Sequence, residues 1–394
     1  MHEQDVAGAQ VAAGAAESRD AGVGGGPIDA DLGLYRVLRD DGSIDPATDP
    51  HMPMELAVRA YREIKRLRLL DARMILIQRQ GRIGFYGACT GQEATPIGSA
   101  LAIEAGDWVF PALRESVMML VRGFPLTSYL AQVWGNSKDI LKGRQMPSHM
   151  SGKSVHQVSW SSCIGPQVPQ AVGAAWAAKI KKERTVVLGF LGDGATSQSD
   201  FHAAMNFAGV FQTPCVIICQ NNHWAISVPT ARQRASRTLA IKGRAFGVPS
   251  VRVDGNDVLA VWGAVSEAAA RARAGGGPTF IEALTYRIGA HSTSDDPSRY
   301  RSQEEVEAWM QRDPLARLRK YLVREGAMDD ATDAALEQEL NAEIAAAVTE
   351  VEAAPAPDRD SIFDDVYAEL PWHLREQRET LRGVPPAPAH GGGH

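Results

Sequence analysis

Residues 185–227 constrain the fold more than any other part of the chain. Thr185-Val186-Val187-Leu188-Gly189-Phe190-Leu191 is apolar and β-branched without alternation, the pattern of a parallel strand buried on both faces. Gly192-Asp193-Gly194 comes next, one carboxylate between two glycines at the strand's carboxyl end, where an open α/β sheet places its ligands. Ser199 and Asp200 are suited to cap a following helix, and Phe201, Ala204, Met205 and Ala208 recur at helical spacing. Gly209 and Pro214 bracket the expected exit. Cys215-Val216-Ile217-Ile218-Cys219-Gln220 is the next strand, closed by Asn221-Asn222. The result is a β-α-β unit that presents Asp193 and Asn222 from adjacent strand ends.

That pair suits a hard divalent cation such as Mg²⁺, which takes oxygen ligands, a few from protein and the rest from phosphates and water. Asp193 offers a charged oxygen, Asn222 an amide oxygen and the backbone at Trp224 a carbonyl. Gly192, Gly194 and the helix N-terminus at Ala195 and beyond let backbone N–H groups approach a diphosphate. Gly-Asp-Gly alone is more often a turn. Strand, helix, second strand and Asn-Asn in register reverse that balance.

The rest of the chain alternates in the same way. Met54 to Arg79 carries one apolar helical face, and Ala94 to Ile103, Leu126 to Trp134, Gln167 to Lys181 and Val258 to Ala274 read as further helices. Asp107-Trp108-Val109-Phe110, Val251–Val253 and Thr279–Thr285 read as strands. The fold class expected is α/β, a doubly wound, mostly parallel sheet. Domain boundaries track composition: a disordered Ala/Gly-rich leader over 1–27, one domain with a C-terminal helical segment over 28–383, and a disordered Pro/Gly/His tail over 384–394. Residues 31–51 read as an extended arm over the surface. A formal charge of −6 without a basic cluster excludes a nucleic-acid surface. The chain has no apolar run of membrane-spanning length, and its four cysteines lack metal or redox spacing, so a cytoplasmic protein is expected.

Gly-Asp-Gly with Asn-Asn about thirty residues later resembles the thiamine-diphosphate motif. The wider run from Phe85 to Leu381 resembles the alpha subunit of the 2-oxo acid dehydrogenase first component, and within it the branched-chain member. Its specific pieces are Gly192–Thr196, Asn221–Ser227, and Thr285-Tyr286-Arg287 running into His291-Ser292-Thr293-Ser294-Asp295-Asp296. The resemblance implies the diphosphate-binding half of a thiamine-diphosphate fold, with Mg²⁺ on Asp193, Asn222 and the Trp224 carbonyl. It places the cofactor against Arg114, Ser162, Ile164, Gly192, Asp193, Gly194, Ala195, Asn222 and His291, and the substrate against Phe85, Tyr86 and Ile164.

An arginine at a helix start is unfavourable without an anion, which supports Arg114 as a diphosphate ligand rather than a partner of Glu115. The tyrosine that usually precedes it is Leu113, which removes one cofactor hydrogen bond. Ser161 and Gln167 match a potassium site of some members, but Pro166 replaces an expected threonine, and no potassium is expected. His149 and His156 read as surface or hydrogen-bonded residues. His291 is the residue implied to act at the reaction centre. Arg287 and Arg301 are expected to anchor its loop to Asp295, Asp296 or the diphosphate, and Ser292 and Ser302 match positions phosphorylated in mitochondrial relatives.

The implied activity is decarboxylation of a branched-chain 2-oxo acid with acyl transfer to the lipoyl group of an acyltransferase component. The resemblance also implies a beta subunit that supplies the cofactor-activating glutamate missing here, in an α2β2 heterotetramer. The alternatives are an alpha subunit of pyruvate or acetoin dehydrogenase and, from another class, a non-catalytic Mg-diphosphate-binding scaffold.

Overall fold

A computed structural model of the chain describes residues 32–385. The expected leader over 1–27 and positions 386–394 of the expected tail lie outside the described residues. Eight strands are present among the described residues: β1 Leu34–Tyr35, β2 Trp108–Phe110, β3 Val187–Gly192, β4 Cys215–Asn221, β5 Trp224–Ala225, β6 Val228–Pro229, β7 Ser250–Asp254 and β8 Thr279–Leu284. Six form one sheet in the order β1-β7-β8-β4-β3-β2, with every neighbouring pair parallel. β5 and β6 make a small antiparallel hairpin beside it.

Strand residues alternate between two cores, as the period of two requires. Leu188, Phe190, Val216, Ile218, Val251, Val253, Ile281 and Ala283 point into the larger one. The helices Met54–Arg79, Ala94–Leu101, Leu126–Trp134 and Val258–Arg273 cover it. Val187, Leu191, Cys215, Ile217, Cys219 and Phe280 point the other way, against the helices Gln167–Ile180 and Ser199–Phe211. Cys215 and Cys219 are buried free thiols on one strand face.

The chain steps β2→β3→β4 in one direction across the sheet and β7→β8 in the other. Right-handed crossovers then demand that the connecting helices sit on opposite faces. They do: Gln167–Ile180 and Ser199–Phe211 lie on one side and Val258–Arg273 on the other. The reversal falls between β4 and β8, and such a switch point is where open α/β sheets bind ligands, outside the strands' carboxyl ends.

Two local expectations are corrected. The helix Ser199–Phe211 has Gln198 in extended conformation as its N-cap and no side-chain cap, because the chain leaves the turn Asp193–Ser197 one residue earlier than Ser199 would need. Gly209 lies inside this helix, which ends at Gln212 in the left-handed region. The segment over 31–51 is no surface arm. Its β1 extends the sheet edge beside β7, Val37 and Leu38 are buried, and their N–H groups donate to Asp257 Oδ2 at 2.7 and 2.6 Å. The same carboxylate caps the helix Val258–Arg273 through Leu259 N and Ala260 N. Among the described residues no helix is long and apolar enough to cross a membrane.

A Cβ on Gly209 would lie 2.2 Å from the Phe246 carbonyl oxygen, a backbone atom that cannot swing away. Gly→Ala in a helix interior ordinarily stabilises by about 1 kcal/mol. Here overpacking should reverse the sign, and Gly209→Ala should lower stability by about 1–3 kcal/mol in urea unfolding. A stabilised variant would show that the helix moves freely away from Phe246.

Candidate functional site

Asp193 opens the 3₁₀ turn Asp193–Ser197 directly after β3, and Asn222 lies just past β4. The Asp193 side chain is buried, the residue being 2 % exposed, and Oδ2 accepts from Thr230 Oγ1 at 3.1 Å and Gln233 Nε2 at 2.8 Å. Burial raises its pKa despite these bonds. A desolvated carboxylate held by neutral donors is what an added cation would stabilise. Asn222 Oδ1 accepts from Trp224 N at 3.2 Å, and its Nδ2 donates to Gln92 Oε1 at 2.9 Å. The Trp224 carbonyl accepts from Arg287 Nη1 at 3.1 Å. Each of these oxygens has lone-pair capacity beyond the bonds it makes.

The two glycines do different jobs. A Cβ on Gly192 would meet nothing within 4 Å, so room is open beside the carboxylate. A Cβ on Gly194 would sit 2.6 Å from Ala225 Cβ and 3.2 Å from Gln233 Oε1, so glycine lets the β5–β6 hairpin close over the turn. Gln233 Oε1 is itself buried without a hydrogen-bond partner. The donor set is hard oxygen throughout and fits Mg²⁺. Ala195 is buried in the turn between Asp193 and Thr196.

Arg114 is 5 % exposed at the start of the 3₁₀ turn Glu115–Val117. Its Nη1 donates to the Ala88 carbonyl and its Nη2 to the His291 carbonyl at 2.9 Å. Both bonds end on neutral oxygens, and burial lowers the guanidinium pKa. Glu115 is occupied elsewhere, accepting from Ala112 N at 2.8 Å and from Gln220 Nε2. His291 is half-buried, with its N–H on Asp295 Oδ2 at 2.7 Å. Burial first, then Arg114 and Arg287, pull its imidazole down to about 4.

The loop anchors differ from expectation. Arg287 is buried and donates to the Trp224 and Ile226 carbonyls and to Tyr300 Oη, the last two at 2.6 and 2.7 Å. Burial, then repulsion from Arg114, pushes it down to about 10. Arg301 donates to the carbonyls of Arg287, Ile288 and Gly289. A guanidinium's several donors fit consecutive carbonyls of a turning loop, so the arginines hold backbone and leave the carboxylates to other donors. Asp295 takes Tyr300 Oη at 2.5 Å, and Asp296 caps the turn Pro297–Arg299. Ser292 Oγ accepts from Ser294 N at 3.4 Å within the loop, whereas Ser302 is the N-cap of the helix Gln303–Met310.

On the expected substrate side, Phe85 is half-buried while Tyr86 is 3 % exposed with its hydroxyl on Asp71 Oδ1 at 2.8 Å. Ile164 is 61 % exposed, an apolar residue standing out from the exposed segment that holds Ser162 and Cys163. Ser162 Oγ hydrogen-bonds His149 Nε2, and the His149 ring lies 3.9 Å from that of Trp160 and 6.4 Å from that of Phe85. Sequence reasoning passed over Gln92, Thr230 and Gln233, and His149, read as surface or hydrogen-bonded, is buried and hydrogen-bonded. Each acts through a polar side chain brought in from a distant loop, and none has a spacing that marks it. Only Thr230 and Gln233, polar residues just after the Asn-Asn strand, carried a positional hint.

Residues 61–360 match the Dehydrogenase E1 component family. The chain is 44% identical over 350 residues to human mitochondrial 2-oxoisovalerate dehydrogenase subunit alpha, covering 88% of this chain and 79% of that protein. It is 42% identical over 360 residues to the 3-methyl-2-oxobutanoate dehydrogenase subunit alpha of Mycobacterium tuberculosis, covering 90% of this chain and 95% of that one. An Arabidopsis thaliana 2-oxoisovalerate dehydrogenase subunit alpha 2 is 42% identical over 357 residues, 89% of this chain and 76% of its own. The match takes in the strand ends that bear Asp193 and Asn222 and the loop that bears His291, and the chain belongs to the Dehydrogenase E1 component family.

Proposed function

We propose that this chain is the alpha subunit of a branched-chain 2-oxo acid dehydrogenase, binding thiamine diphosphate and Mg²⁺ at the β3–β4–β8 crevice. The observation that carries the reading is the buried Arg114, held between the Ala88 and His291 carbonyls. The turn that carries Ala88 also reaches the Asn222 strand end, where Asn222 Nδ2 donates to Gln92 Oε1. When bound, thiamine diphosphate supplies the electron sink for releasing carbon dioxide from a 2-oxo acid and for passing the acyl group to a lipoyl arm. Asp193, Asn222 and the Trp224 carbonyl hold the cation. Arg114 and the N–H groups around Gly192, Gly194 and Ala195 hold the diphosphate, and Ser162 and Ile164 the rest of the cofactor. Neutral His291 donates to or accepts a proton from the reacting carbonyl oxygen. Phe85 and Ile164 face the branched side chain, while Tyr86, 3 % exposed with its hydroxyl on Asp71, holds the turn beside Phe85.

Exposed Ile164, Val366, Tyr367 and Trp372 support a protein partner, since large apolar side chains in water mark interaction surfaces. The partner in this reading is a beta subunit, in an α2β2 assembly that serves a lipoyl acyltransferase. Four free cysteines fit a reducing, cytoplasmic setting. The direct test is decarboxylation of 3-methyl-2-oxobutanoate against pyruvate by the chain co-expressed with its beta subunit. Preference for the branched acid, and inactivity of the chain alone, are expected. Preference for pyruvate would move the function to a pyruvate-type dehydrogenase, and full activity of the single chain would refute the interfacial site.

Replacing the carboxylate in Asp193→Asn removes the only charge among the proposed cation ligands. The Mg²⁺ concentration for half-maximal activity should rise by about 10–100-fold, with far-UV circular dichroism unchanged. His291→Ala should cost roughly 10²–10⁴ in turnover while cofactor still binds in calorimetry; a scaffold would lose nothing.

The imidazole pKa of His291 gives a separate handle. Its folded value of about 4 lies below the ordinary histidine value of 6.5, so it leaves stability unchanged above pH 6.5 and lowers it as pH falls from there towards 4. A bound diphosphate offsets the Arg114 and Arg287 charges, which should move the imidazole upward. Histidine NMR titration with and without thiamine diphosphate and Mg²⁺ reads this shift. An ordinary titration that the cofactor leaves unmoved would contradict it.

A further inference from the structure

We infer that Asp71, on the helix Met54–Arg79, is a positioning residue that sets the turn over 86–93 and through it the cofactor arginine, the Asn222 amide and the His291 loop. The inference rests on the reading that the crevice holds a diphosphate. Asp71 is 1 % exposed, and its carboxylate accepts from Tyr86 Oη at 2.8 Å, Cys89 N at 2.7 Å and Thr90 Oγ1 at 3.2 Å. From the other side buried Glu93 accepts Gly91 N at 2.8 Å and is held by Arg68 Nε at 2.5 Å, whose Nη2 reaches Asp313 at 2.8 Å. Residues 89, 90 and 91 are therefore gripped by two buried carboxylates.

The turn hands that order to the arginine, the Asn222 amide and the His291 loop. Its Ala88 carbonyl takes Arg114 Nη1, and its Gln92 Oε1 takes Asn222 Nδ2 at 2.9 Å. Its Gly91 carbonyl takes Thr285 Oγ1 at 3.2 Å, at the end of β8. Tyr86 pairs with Thr293, two residues beyond His291, through Thr293 N to Tyr86 O at 3.2 Å and Tyr86 N to Thr293 Oγ1 at 3.3 Å. Arg114 reaches the His291 carbonyl from the same side. A buried carboxylate bears a desolvation penalty. Burial, partly offset by the Tyr86 bond, pushes Asp71 up to about 7. A turn needed only for packing could close on backbone bonds alone. One that must fix a guanidinium and an amide at set positions needs acceptors that do not move.

The test compares wild type, Asp71→Ala and Asp71→Asn, each co-expressed with the beta subunit. An asparagine can place its oxygen opposite Cys89 N–H and its NH₂ opposite the Tyr86 oxygen, so it should largely rescue; alanine cannot. The probes are thiamine diphosphate affinity at saturating Mg²⁺, turnover at saturating cofactor, and the rate of tryptic cleavage at Arg299 and Arg301. Asp71→Ala should weaken affinity by roughly tenfold or more and speed loop cleavage, and, because that loop carries His291, lower turnover at saturating cofactor by less than His291→Ala does. A folded Asp71→Ala complex with wild-type affinity and cleavage would overturn the inference, and so would failure of Asp71→Asn to rescue. If Asp71→Ala does not fold, Tyr86→Phe decides: weaker affinity with faster cleavage supports the inference, and wild-type values overturn it. A wild-type complex that binds cofactor but ignores 2-oxo acids would sink the proposed function alone, because affinity and cleavage would still report on Asp71.

Discussion

The handedness of strand–helix–strand crossovers governs this molecule. Because β2, β3 and β4 advance across the sheet in one direction and β7 and β8 in the other, the covering helices are forced to opposite faces. Both faces of the central strands are then buried, which is why they read as unbroken apolar runs. The reversal between β4 and β8 is where an open α/β sheet binds its ligands, in the crevice outside the carboxyl ends of its strands. Asn222 follows β4, which borders the reversal, and Asp193 follows its neighbour β3. Their chemistry is set by topology before any side-chain contact is considered.

A gap lined by one carboxylate and several arginines must be kept from collapsing on itself. Arg114 and Arg301 are held through backbone carbonyls, and Arg287 through carbonyls and the Tyr300 hydroxyl. Carbonyls fix a guanidinium without neutralising it, so positive charge stays available to an anion. Carboxylates in the same region are turned to backbone and hydroxyl donors: Asp295 to His291 N and Tyr300, Asp71 to Cys89 N and Tyr86. Burial, and then these two uncancelled arginines, hold the His291 imidazole well below its ordinary value. Direct Arg–Asp pairing would have stabilised the loop more and cancelled the field that a diphosphate needs.

The features readable in advance divide from the rest along physical lines. The helices Met54–Arg79 and Leu126–Trp134 begin and end where their apolar periodicity does, since burial of one stripe decides them. Asp193 and Asn222 were legible because they cap apolar strands whose ends are unmistakable. Ser199 and Asp200 misled because their capping chemistry is local, whereas the preceding 3₁₀ turn sets where the helix starts. Gly209 looked like a stop signal and is instead a close approach to Phe246, a contact between segments some forty residues apart that no local pattern carries. Leu34–Tyr35 looked like surface arm because two residues are too few to show a strand period. The anchor of the adjoining Val37 and Leu38 is Asp257, far along the chain. Gln92, Thr230 and Gln233 were invisible for the same reason: their partners are fixed by the fold, not by spacing.

Burial is unevenly distributed around the crevice. The cation end is closed within this chain, with Asp193, Thr230 and Asn222 all buried. The opposite side is not: Ser161, Ser162, Cys163 and Ile164 are exposed one after another, just before Gly165 packs against Gln198 at the exit of the Asp193 turn. A cofactor reaching from Asp193 past Ile164 would thus have its diphosphate in a dry, preorganised pocket and its reactive end in water. Charge stabilisation of a developing anion weakens sharply in water, so chemistry there needs a wall that this chain does not supply. An isoleucine standing in solvent beside that end gains its burial energy only when another surface covers it. The open flank and the exposed Ile164 therefore bear on the proposed function from different physics: in that reading a partner surface closes this side of the site.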